Sequence, residues 1–234
     1  MEIKAYIFDI DDTLVATTRS NHFARDNALA SLSHYLETDV TDRLKEIEVI
    51  MFREFGWARL PDLWRAVCLE WGKQPPEEDF VKELHEKFRQ DFVNSLSLFP
   101  GAMDLLKTLK GKGKHLGVIS DGDSKWQWCK LRKTGLDEIF NLDYVKISIQ
   151  SDLYSCKPST ANYRFLRNAF ELKPEEMLYV GDKPKDVIGA NVSGWFSVRT
   201  VEAFKEYPDP WPKPKLNIEK PNKEISSITQ LLEL

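Results

Sequence analysis

Short apolar runs alternate along this chain with longer stretches in which apolar residues recur every three to four positions. Ile3, Ala5, Tyr6, Ile7 and Phe8 form one such run, which stops abruptly at Asp9, Ile10, Asp11 and Asp12. That is the pattern of a buried strand with carboxylates at its C-terminal end. Comparable runs cover residues 115–119, 144–147, 177–180 and 195–198, and helical periodicity separates them over 103–109, 124–133, 161–170 and 186–192. Strands alternating with helices predict an α/β fold, a Rossmann-like parallel sheet with both faces covered. Ligands of such sheets bind in the crevice beyond the C-terminal strand ends. Polar residues fall at those ends: Asp9 and Asp11 after the first strand, Ser120 and Asp121 after the second, Lys157 downstream of the third, and Asp182 after the fourth.

Residues 17–97 break the alternation. Their apolar positions have helical spacing and no strand pattern: Phe23, Ala24, Ala28 and Leu32; Leu44, Ile47 and Ile50; Leu63, Val67 and Trp71; Phe80, Leu84 and Phe88. The expectation is an inserted all-helical module of four helices, with breaks near Gly56, Pro61 and the Pro75, Pro76 pair. Residues 1–16 and 98–234 would then form the core. The aromatic stripe Phe52, Phe55, Trp57, Trp64 and Trp71 reads as packing, because such residues usually fill interiors. Five prolines between Tyr207 and Pro221 exclude a helix there and predict an extended surface connection, followed by a short helix ending in Leu231 and Leu232.

Composition narrows the function classes. With 234 residues, 42% of them hydrophobic, the chain is long enough to bury a substantial core. A formal net charge of -4 and no basic block argue against a nucleic-acid partner. The three cysteines, Cys68, Cys129 and Cys156, are odd in number and far apart, which fits a reducing compartment better than a disulfide framework. The sequence carries neither a signal-peptide pattern nor a membrane-length apolar stretch, so a cytoplasmic protein is expected.

The chemistry lies in four segments. FDIDDTL places Asp9 and Asp11 two residues apart, on the same side of an extended chain, and such a pair of like charges calls for a hard cation or a shared proton. VGDKPKD adds Asp182, a natural third metal ligand, and Asp186. The latter either reaches the metal through water or begins the next helix, whose N-terminal dipole favours an acid. In VISDG, the Ser120 hydroxyl and the N–H groups of the turn at Asp121 suit phosphate oxygens; in CKP, the Lys157 ammonium can neutralise both a nucleophile and a phosphoryl group. Neither the four histidines nor Gly111-Lys112-Gly113-Lys114 matches the spacing of a metal site or a phosphate-cradling loop.

These four segments, in this order, resemble the motifs of the haloacid dehalogenase superfamily, and the insertion resembles that superfamily's subtype I helical cap. The first insertion helix, with DNALASL, and the Ser-Asp-Gly-Asp form of the second motif are similar to archaeal members acting as glyceraldehyde 3-phosphate phosphatases. The resemblance implies a phosphatase of small phosphate esters. Asp9 would be the nucleophile and Asp11 the general acid and base. Ser120, Asp121 and Lys157 would bind phosphate, with Mg2+ held by Asp9, the backbone carbonyl of Asp11, and Asp182. Dehalogenases of the superfamily lack the second carboxylate of the first motif, which is present here as Asp11. A sugar-phosphate mutase would share every core residue, and a non-catalytic binding protein would keep only the fold.

Overall fold

The computed structural model describes residues 2–39, 60–74, 77–149, 152 and 154–234. Its strands are β1 (Ala5–Phe8), β2 (His115–Asp121), β3 (Val145–Ser148), β4 (Met177–Gly181), β5 (Phe196–Thr200) and β6 (Lys223–Ile225). They form one sheet in the order β3-β2-β1-β4-β5-β6, and every neighbouring pair is parallel. The chain builds outward from β1 to β3 on one side, then crosses to β4 on the other. The reversal beside β1 creates the crevice that such sheets use for ligands. Phe8 is in register with both Val118 and Val180, so the segments after β1, β2 and β4 leave the sheet at nearly one level.

β1 and β4 are buried along their whole length, which is why they read as continuous apolar runs. Alternate residues serve opposite faces. On one face Ala5, Ile7, Ile119, Met177 and Tyr179 pack with Tyr163, Leu166, Phe170, Ala190 and Trp195. From the other, Phe8 meets Phe140 edge to face at 6.3 Å. The core helices are α4 (Ala102–Gly111), α5 (Ser124–Lys133), α6 (Ala161–Phe170) and α7 (Pro184–Val192). Pro184 suits the first turn of α7, where its missing N–H would have no partner anyway.

The described chain divides into two compact units, Met1–Thr18 with Leu96–Leu234, and Arg19–Ser95. The second contains α2 (Leu60–Glu70), α3 (Glu78–Ser95) and nearly all of α1 (Thr17–Leu36). Trp64 is buried against Phe88 and His85, as expected for packing. Pro61 lies in the first turn of α2, a position that suits proline, so the break expected near it is compatible with this helix start. The helix expected around Leu44, Ile47 and Ile50, residues Phe52, Phe55, Trp57 and Gly56, and the Pro75, Pro76 pair lie outside the described residues. The strand β6 was not anticipated. It has only three residues, too few for a periodic signal, and lies at the sheet edge beyond the proline-rich segment. The terminal helix is a 3-10 helix, Ile228–Glu233. All three cysteines are free. Among the described residues, no helix is long and apolar enough to cross a membrane.

Tyr163 joins α6 to α7. Its ring packs against Tyr179 and Trp195, with centroids 5.2 and 5.1 Å away, and its hydroxyl donates to the Asp186 carbonyl at 3.3 Å. A Cβ on Gly189 would lie 2.6 Å from that hydroxyl. Gly189→Ala is therefore expected to lower stability by about 1–3 kcal/mol through overpacking, although alanine's helix propensity alone would raise it by about 1 kcal/mol. Chemical denaturation decides the sign, and a more stable variant would refute the close packing.

Candidate active site

One residue past β1, the Asp9 N–H donates to the Val180 carbonyl at 2.9 Å, so the sheet ladder fixes the backbone there. The Asp9 side chain is buried, and its Oδ1 accepts from Ser120 Oγ at 2.7 Å and lies 3.0 Å from Lys157 Nζ. The same ammonium is 2.6 Å from Asp186 Oδ1 and donates to the Tyr179 hydroxyl at 3.2 Å. An ammonium has three N–H groups, and three acceptors surround this one. Tyr179 passes its own proton to the Ile119 carbonyl at 2.8 Å. Burial works against the charge on Lys157, but Asp186 and Asp9 overcome it and hold its pKa well above the usual lysine value.

Asp186 has no exposed surface. Its Oδ2 accepts the Lys183 N–H at 3.0 Å, so it fills the helix-starting role considered for it, while its other oxygen serves Lys157. The close approach depends on Gly181, since a Cβ there would overlap the Asp186 carboxylate. Asp9, Asp182 and Asp186 each offer an oxygen within 4.8 Å of the others, and all three are buried. Among the described residues, Asp182 Oδ1 has no hydrogen-bond partner; Lys183 Nζ lies 3.8 Å away. Burial raises the Asp182 pKa well above the usual carboxylate range; Lys183 opposes the shift, and Asp186 and Asp9 add to it. Three crowded carboxylates, one with an orphaned oxygen, fit a hard divalent cation with oxygen ligands.

The carboxylate of Asp11 lies apart from that cluster. Past Asp9 the chain is not extended: the N–H groups of Leu14 and Val15 both donate to the Ile10 carbonyl, at 3.1 and 3.0 Å, and Asp12 has a φ of 55°. Asp9 and Asp11 nevertheless meet one network, because Gln127 Nε2 reaches both Asp11 Oδ2 and the Ser120 hydroxyl that donates to Asp9. Asp11 Oδ1 receives Thr17 Oγ1 at 2.6 Å and Lys130 Nζ at 2.5 Å, and Oδ2 receives Gln127 Nε2 at 2.8 Å. Burial opposes its ionisation, but Lys130, Lys183 and these hydrogen bonds hold the carboxyl well below its ordinary pKa. Asp12 caps the start of α1, accepting from the Thr18 N–H at 2.8 Å and hydroxyl at 2.7 Å.

The Asp121 carboxylate has structural partners, while the part in phosphate binding expected of Asp121 rests on the N–H groups of its turn. Its Oδ1 accepts the Lys157 N–H at 3.1 Å and its Oδ2 lies 2.7 Å from Lys185 Nζ. The carboxylate thus braces the lysine loop against β2. Sequence reading missed Gln127, Lys130, Thr17 and Tyr179. Only Tyr179 carried a clear signal, since a hydroxyl in an otherwise aliphatic buried strand needs a partner.

A family profile described as haloacid dehalogenase-like hydrolase matches residues 3–194. A glyceraldehyde 3-phosphate phosphatase of Pyrococcus furiosus is 31% identical, over 88% of each chain. One of Methanopyrus kandleri is 28% identical over 98% of each. Among solved structures, the HAD-hydrolase YfnB of Bacillus subtilis, bound to magnesium, superposes with a TM-score of 0.67 at 21% identity, covering 100% of this chain and 98% of its own.

The crowding of carboxylates has a consequence for the metal-free protein. At neutral pH, Asp182→Asn removes a buried like charge at constant shape and is expected to raise stability measurably. Because the folded-state pKa of Asp182 is raised, the wild-type penalty is full above that value. It fades as pH falls toward about 4, where the unfolded carboxyl is protonated too. Thermal melts in chelator across this range should show the advantage of the variant shrinking with acidity; a variant less stable at neutral pH would contradict the assignment.

Proposed function

The chain belongs to the haloacid dehalogenase-like hydrolases, and from that membership we propose that it is a magnesium-dependent phosphatase working through an aspartyl phosphate on Asp9. The observation that carries the reading is the grip on Asp9. One carboxylate oxygen is held by a hydroxyl and an ammonium, in a buried site beside two further carboxylates. Asp9 and Asp182, joined by the Asp11 carbonyl and supported by Asp186, would hold the cation. A bound Mg2+ supplies charge neutralisation for the incoming phosphate and for the transition state. The oxygen-only donor set favours magnesium over softer metals.

The chain's own groups then divide the work. An Asp9 oxygen attacks phosphorus, the bond to the leaving oxygen breaks, and the Ser120 hydroxyl and Lys157 ammonium stabilise the phosphoryl oxygens. Asp11 gives its proton to the departing alkoxide. In the second step it takes one from the water that attacks the aspartyl phosphate, releasing inorganic phosphate and restoring Asp9. Asp11 without substrate is an anion, the form needed for that second step. Arrival of a phosphate dianion nearby disfavours a second negative charge and so promotes the protonated form needed for the first. Small phosphorylated metabolites are the substrate class. Glyceraldehyde 3-phosphate is the leading member, because the two archaeal relatives carry that name. We assign residues 17–97 the role of a cap that selects among esters, and free cysteines accord with a cytoplasmic setting.

Phosphate release from glyceraldehyde 3-phosphate should disappear on chelation and return with magnesium. An isomerised ester without free phosphate would mark a mutase instead. Asp9→Asn should form no phosphoenzyme. Asp11→Asn, given an aryl phosphate whose leaving group hardly needs a proton, should accumulate phosphate on the peptide containing Asp9, detected by mass. Phosphate on any other residue would overturn the nucleophile assignment.

A further inference from the structure

Two polar residues that belong to none of the four motifs converge on Asp11. Gln127 and Lys130 lie three positions apart on α5, hence on one helix face, and only 1% and 7% of their surfaces are exposed. Lysine is almost never so buried unless it is paired, and Lys130 has its partner in Asp11 Oδ1 at 2.5 Å. Gln127 Nε2 reaches Asp11 Oδ2 at 2.8 Å, Ser120 Oγ at 3.3 Å and the Asp121 carbonyl at 3.0 Å. One helix face therefore holds both oxygens of Asp11 and touches the hydroxyl that grips Asp9. The helix itself is anchored next to the second motif: Asp123 caps it, accepting the Trp126 N–H at 3.1 Å.

We propose that Lys130, assisted by Gln127, is a positioning residue that fixes the orientation of the Asp11 carboxylate for proton transfer. This rests on the reading of Asp11 as proton shuttle. Stability alone is a poor reason for the arrangement, because a buried ion pair adds little over apolar residues of similar volume. Geometry is a better one. A carboxylate on a curled loop is free to rotate, and proton transfer demands hydrogen-bond reach to the leaving oxygen and then to the attacking water. Thr17 steadies Oδ1 from within the same loop. The α5 pair ties the carboxylate to the sheet, and so to Asp9.

The test uses the full chain with magnesium and compares Lys130→Met, Lys130→Arg and Asp11→Asn. Each is given p-nitrophenyl phosphate and an alkyl phosphate that the wild type turns over, and phosphoenzyme formation is followed in single turnovers. Lys130→Met should slow the alkyl ester about 100-fold but the aryl ester less than about threefold, with KM nearly unchanged. Lys130→Arg should recover to within about tenfold of wild type, because its fork still reaches a carboxylate. Equal losses on both esters would reduce the pair to a structural contact and overturn the proposal, as would wild-type rates in Lys130→Met. If Asp11→Asn itself fails to discriminate between the esters, the shuttle assignment falls and the proposal with it. That outcome is distinct from failure of Lys130→Met alone beside a discriminating Asp11→Asn. Should Lys130→Met not fold by thermal melting, Gln127→Met replaces it. A leaving-group bias of the same sense would then support the proposal, and its absence would refute it.

Discussion

A single buried ammonium allows the strand-end carboxylates to coexist. Lys157 bonds Asp9, Asp186 and Tyr179 at once and is almost wholly shielded from water. Without it, Asp9 and Asp186 would be like charges in a medium of low dielectric, where breaking one partner of a buried pair typically costs about 3–5 kcal/mol. Its position depends on Asp121, which holds its backbone N–H, and on the β1-β4 pairing, which sets Asp9 beside the end of β4. The grip on the reactive carboxylate and the tolerance of so much negative charge thus share one physical cause.

The second ordering device is the curl after β1. Two acids only two residues apart have different direct partners on either side of it. Asp9 stays with the buried carboxylates, and Asp11 turns toward a lysine, an amide and a hydroxyl. Pairs of titratable groups whose environments differ in this way suit different roles in one reaction. The hydrolase family of the chain and the division of labour proposed for the two acids are consistent with each other on this point.

Much of the architecture was readable from the residues. Continuous apolar runs marked β1 and β4 because both faces of those strands are covered, and α5 and α6 appeared with their full extents because amphipathic periodicity is strong over ten residues. The three-residue β6 was invisible for the opposite reason. Pro61 lies near a helix start because proline fits the first turn of a helix and not its interior. At the site, Asp9, Ser120 and Lys157 were legible and are brought together, while the bracing of the lysine loop by the Asp121 carboxylate had no signal along the chain.

What the sequence determined by itself was the set of groups at the carboxyl ends of the strands, because β1, β2 and β4 announce themselves locally and a parallel sheet places their ends along one edge. Which of those groups touch was decided only by the tertiary structure. Asp186 joins Asp9 because β4 is hydrogen-bonded beside β1 and Gly181 leaves room for it. Gln127 and Lys130 reach Asp11 across more than a hundred residues. No local pattern encodes such a meeting. A buried lysine and a solvated one look alike along the chain, and the difference between them is the partner that folding supplies.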